Sequence, residues 1–160
     1  MMDLKDIILL VVPILMNGFF IFVFQAWVSN KISQKKRERE FRYNIMKQYH
    51  EILQLINNSC NEIIKESYKN KDFTYEFLII ADGVWKAKEY MDSNSFDLES
   101  VKETYVKIEI YWNRVSSLSI KQDSMEKAVF NTEFSNLFND FHNVLLDSIK
   151  EVRKGMKNSL

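Results

Sequence analysis

The chain has 160 residues, with 22 lysines and arginines against 22 aspartates and glutamates, so its formal net charge is zero. Three glycines, one proline and one cysteine exclude a turn-rich β fold, a glycine-rich phosphate loop and an internal disulfide. Charge is nonetheless uneven: residues 1–30 sum to −1, residues 31–42 to +4 and the remainder to −3, so the body lacks the basic face of a nucleic-acid binder. The lone Cys60 fits a reducing compartment. The richness in Lys, Asn and Ile matches an AT-rich genome, and a bacterial or phage source is expected.

The first element is an uncharged apolar stretch from Ile7 to Val28, preceded by the short segment 1–6. At ~1.5 Å per residue a helix of that length reaches ~33 Å, enough for the ~30 Å hydrocarbon core of a bilayer. A cleaved signal peptide would be shorter, would start basic and would end at small residues. Here the leading end holds Asp3, Lys5 and Asp6, and the exit Gln25-Ala26-Trp27-Val28 has no such site. The expectation is a transmembrane helix over 7–28. Lys31, Lys35, Lys36, Arg37, Arg39 and Arg42 then form a basic juxtamembrane segment within 29–42. Their excess over the single Lys5 places the N-terminus outside and residues 43–160 in the cytoplasm, at the cell membrane. Trp27 stands where an interfacial aromatic is expected, and the six cations suit anionic headgroups at the membrane surface.

Within the stretch, Pro13 removes a backbone donor and predicts a kink. Asn17 would need a hydrogen-bond partner in hydrocarbon, and Gly18 beside it permits close approach. Pro13, Asn17 and Phe24 fall on one stripe at 100° per residue. Together with Gly18 they are the candidate self-association residues, and they point to a homo-oligomer.

Four amphipathic stretches follow. In the first, about Ser33 to Lys69, Met46, Tyr49, Leu53, Ile56, Cys60 and Ile63 recur at alternating spacings of three and four, widened by Ile45 and Ile52. This helix continues the membrane helix without a break. Asn70-Lys71-Asp72 reads as a turn, with Asp72 or Thr74 capping the next helix. The second stretch, Thr74 to Met91, carries Phe77, Leu78, Ala81, Val84, Trp85 and Met91 on one broad face. Asp82-Gly83 also suits a hairpin turn between strands 75–80 and 84–90, but a helical glycine costs only about 1 kcal/mol, and helix is expected. Asp92-Ser93-Asn94-Ser95 is a loop.

The third stretch, Asp97 to Ser119, places Val101, Tyr105, Ile108, Trp112, Val115 and Ser119 on one stripe. The fourth runs from Ser124 to Lys157, with Phe130, Phe134, Leu137, Phe138, Phe141, Leu145, Ile149, Val152 and Met156 on its apolar face. Short connections make neighbours antiparallel. The expected fold is all-α: a single N-terminal transmembrane helix continuing into a cytoplasmic antiparallel four-helix bundle.

Chemistry is sparse. No C-x-x-C or H-x-x-x-H spacing offers a zinc site, and Lys47 and Asn139 stand where a di-iron bundle needs glutamates three residues before its histidines. His50-Glu51 resembles the phospho-accepting pair of sensor kinases in two residues, without the rest of that motif or an ATP-binding domain. HEPN-type ribonucleases place Arg four to six residues before His, whereas Arg42 and His50 are farther apart and His142 has no upstream Arg nearby. Ser116, Ser117 and Ser119 have no activating His or acid at recognisable spacing. Aromatics at helical spacing are core side chains, and Cys60 on the apolar stripe is buried and inert.

No catalytic residue, cofactor or metal is therefore expected. The reading is a non-enzymatic, membrane-tethered helical interaction or scaffold module of bacterial or phage origin. Its partners would be membrane lipids, further copies of itself and a cytoplasmic protein, with no nucleic acid. The alternative is an oligomeric membrane effector, pore-forming or membrane-disrupting, of an antiviral or toxin type.

Overall fold

The structure is a computed structural model that describes residues 4–66, 74–121 and 126–159; the side chains of residues 4–15, 17, 66, 74, 127 and 128 lie outside the description. The described residues form four α-helices and a short 3-10 turn: α1 (Leu4–Glu66), α2 (Thr74–Ser93), the turn Glu99–Val101, α3 (Lys102–Ile120) and α4 (Lys127–Ser159). There is no strand among them, so Asp82 and Gly83 lie inside a helix and the hairpin alternative is not adopted. The expected turn at residues 70–72, the cap by Asp72 or the Thr74 side chain, and the start of the last helix at Ser124 lie outside the described residues.

The chain divides into two compact units, Met1–Glu40 and Phe41–Leu160. The second is an all-α bundle. Its core is built from the stripes that the heptad-like spacing marks out. Tyr49, Leu53, Ile56 and Cys60 of α1 are wholly buried, as are Ile108 and Val115 of α3 and Phe141, Leu145 and Val152 of α4. Each large apolar side chain removed from water contributes about 1.5–3 kcal/mol, which is what holds four marginal helices together.

Contacts give the direction of each helix. Ile56 of α1 meets Gly83 of α2, while Tyr49 stacks on Tyr90 at 6.3 Å between ring centroids, so residue numbers rise on one helix as they fall on the other. The hydroxyl of Tyr90 donates to Gln48 Oε1 at 2.8 Å. Against α4, Met46 meets Gly155, His50 meets Arg153 and Asn57 meets His142, again an antiparallel order. Lys88 of α2 pairs with Glu109 of α3 at 2.9 Å, and Phe77 packs on Trp112 at 5.6 Å. Trp112 of α3 reaches Phe141 of α4 at 5.5 Å.

Phe77 is the hub of an aromatic cluster. It lies 5.7 Å from Phe134 and 6.2 Å from Phe138, and Phe134 stacks on Phe138 at 5.7 Å. Edge and offset ring pairs of this kind add ~0.5–1.5 kcal/mol beyond burial. The aromatic richness of the last helix is core packing, as its spacing predicts.

Two glycines mark close helix approaches. A Cβ at Gly83 would stand 2.5 Å from Ile56 Cγ1, and one at Gly155 would stand 2.7 Å from Met46 Sδ. The glycine that looks like a weak point of α2 is thus a point of close approach to α1.

The membrane assignment is corrected. Among the described residues no helix is long and apolar enough to cross a membrane. Of the stretch 7–28, the described side chains are Met16 and Gly18 to Val28. The single-pass span, its outside N-terminus and its cytoplasmic C-terminal domain at the cell membrane are therefore not supported.

Candidate functional site

The unusual surface of the protein lies on the N-terminal unit. Phe19, Phe20, Ile21, Phe22, Val23 and Phe24 follow one another on α1, and all are exposed, from 46% for Val23 to 70% for Phe22. At 100° per residue, six consecutive positions pass right round a helix. The segment is therefore apolar on every side, a pattern that belongs to helices enclosed by other chains or by an apolar phase. Trp27 and Ile32 extend it, at 53% and 63% exposure.

The aromatic rings are partly organised among themselves. Phe19 and Phe20 meet edge-on at 6.4 Å, and Phe24 lies 6.2 Å from Trp27. Phe24, Gln25, Val28, Ser29, Ile32 and Ser33 line a shallow depression of about 320 Å³. The side chains that frame it stand one and two turns apart on a single helix.

Cations border this segment. Lys31 Nζ sits 4.4 Å above the Trp27 ring, a cation–π contact. Lys36 pairs with Glu40 at 3.9 Å, and Arg37 Nε donates to the Ser33 carbonyl at 3.4 Å. Lys35 and Arg39 are exposed. Arg42 is different. It pairs with Asp97 at 3.4 Å and lies 5.9 Å from the Phe96 ring, within the bundle unit, so it ties α1 to the turn after α2.

Of the predicted self-association residues, Phe24 is exposed and Gly18 is open, with nothing within 4 Å of an added Cβ. The helix passes through Pro13 and Asn17, but their side chains lie outside the described residues.

The bundle offers little chemistry. Among the described residues no group of three or more His, Cys, Asp and Glu could hold a metal ion. His50 accepts a hydrogen bond from Arg153 Nε at 3.0 Å, and His142 Nε2 lies 3.0 Å from Asn57 Oδ1. Neither meets a nucleophile. Cys60 is fully buried, and burial pushes its thiol up to about 12, which suppresses the reactive thiolate. Asn113, Arg114, Ser117, Glu133 and Asp140 border an open groove of about 670 Å³ between α3 and α4, with no nucleophile–base pair in it.

Sequence reasoning missed further exposed apolar side chains on α2 and α3. Leu78 and Trp85, placed on the buried face of α2, are 63% and 62% exposed. Val106 and Ile110 of α3 are exposed as well. No protein-family model matches the chain, and no curated protein or solved structure matches it. The expected bacterial or phage origin finds no support there.

Proposed function

We propose that the protein is a non-enzymatic helical interaction module, in which the bundle is the folded body and the apolar N-terminal part of α1 is the docking element. The observation that carries this reading is the unbroken exposed run Phe19–Phe24 on a helix. Left in water, that surface has a high free energy, at about 25 cal/mol for each Å² of apolar area. Association with other helices removes it from water. Further copies of the chain are the first partner in this reading, because each copy carries the same exposed run Phe19–Phe24 to bury against another. A second protein that supplies helices is the other.

Cysteine scanning tests the docking element directly. Cys60 is buried, so a single cysteine introduced in turn from Gly18 to Val28 reports alone. The expected result is oxidative cross-linking of full-length chains at positions recurring every three to four residues. Absence of cross-links at every position, with the chain remaining a monomer, contradicts self-association. Capture of the chain by lipid vesicles through the same positions, without cross-linking, contradicts it too.

A further inference from the structure

Both histidines of the chain lie on one interface, the seam between α1 and α4. His50 and Asn57 are two turns apart on the same face of α1, and Arg153 and His142 answer them from α4 in antiparallel order. We propose that this seam carries an acid-sensitive latch, closed while His50 is neutral and loosened when it takes up a proton.

The chemistry at His50 is directional. Arg153 can only donate, so His50 Nε2 must be an acceptor and the ring must be neutral, with its proton on Nδ1. A proton on Nε2 removes that acceptor and leaves two cations where a hydrogen bond had been. Burial and the Arg153 charge both lower the proton affinity of His50, and Glu51 partly offsets them. Glu51 is itself paired with Lys47 at 4.0 Å, which limits its help.

His142 is a fixed contact of the seam and not part of the switch. Its Nε2 donates to Asn57 Oδ1 at 3.0 Å, and a protonated ring keeps that donor, so this bond survives in acid. The helices are close at the His50 end of the seam, where Gly155 stands against Met46.

The sign follows from linkage. His50 is less basic in the folded chain than in the unfolded one, so the unfolded chain binds more protons in acid. The contribution of this contact to stability is full above the ordinary histidine range near 6.5 and is lost as pH falls below it.

Cys60 reports seam opening without any added probe, because it lies buried on the α1 core stripe. The measurement is its rate of thiol modification in the full chain, divided by the rate in the urea-unfolded chain at the same pH. Between pH 7.5 and pH 5.5 this protection is expected to fall several-fold in the wild type and to hold in the His50→Gln variant. Equal loss in both overturns the proposal. The proton NMR titration of the wild-type His50 provides a second reading independent of any variant. His50 is expected to titrate below 6.5, and titration at or above that value overturns the proposal.

Discussion

At the scale of single residues, the core carries specific costs that substitution can expose. Ser148 is fully buried and its hydroxyl has no hydrogen-bond partner among the described residues, and the same holds for the Tyr49 hydroxyl. A buried polar group left unpaired costs roughly 1–3 kcal/mol. Ser148→Ala is therefore expected to raise the urea midpoint, by about 1 kcal/mol of stability, since alanine also favours helix. A lowered midpoint would show that the hydroxyl is satisfied in solution. Gly83 presents the opposite case. Gly83→Ala gains about 1 kcal/mol of helix propensity, but its Cβ would stand 2.5 Å from Ile56 Cγ1. Overpacking of that kind costs ~1–3 kcal/mol, so the net effect is expected to be destabilising. Adding Ile56→Val should not recover the loss, because valine keeps a γ carbon there, whereas Ile56→Ala in the Gly83→Ala background should cost less than Ile56→Ala alone. A double-mutant cycle by denaturant titration measures that coupling.

At the scale of elements, the stripes of α1, α3 and α4 were legible because each runs for several turns without a glycine or proline to reset the period. Tyr49, Leu53, Ile56, Cys60, Ile108, Val115, Phe141 and Leu145 all lie where their spacing puts them. In α2 the face was read correctly at Val84 and Met91, which are buried, and at Phe77 and Ala81, which pack against the core, but not at Leu78 and Trp85. Ile80 and Ala87 complete the buried seam, with Gly83 between, and Ala87 and Gly83 are too small to stand out by hydrophobicity. Leu78 and Trp85, seven residues apart, lie on the opposite side. Leu98 was missed for another reason: it sits in the turn before Glu99–Val101, where no period exists, yet it is wholly buried. Leu98→Ala is expected to cost ~2–5 kcal/mol, as a core truncation does, and Trp85→Gln to change stability by no more than about 0.5 kcal/mol. Thermal unfolding of the two variants separates them, and the reverse order would contradict the packing of α2 described above. Arg42 illustrates the limit of charge counting: composition groups it with the other cations, and only the fold shows Asp97 against it.

At the scale of the whole molecule, the chain joins a bundle with a conventional core to a helical unit whose side chains from Phe19 to Phe24 are all exposed. The apolar run at its N-terminal side was plain in the sequence, but its length alone did not fix its surroundings, and the membrane span expected from it is corrected above. What stands is the exposed run from Phe19 to Phe24 with Trp27 and Ile32 beyond it. Its substitution should leave the bundle intact while changing what the chain associates with. Phe20→Ser with Phe24→Ser is expected to leave the unfolding midpoint of the bundle within about 0.5 kcal/mol of wild type, as surface changes do. The measurement that bears most directly on the interaction-module account is the native mass and composition of the full chain, purified gently from its own host. The account predicts a defined complex, either of identical chains or with one stoichiometric protein, that dissociates in the Phe20→Ser, Phe24→Ser variant. A lone chain, or a complex unaffected by those substitutions, would contradict it.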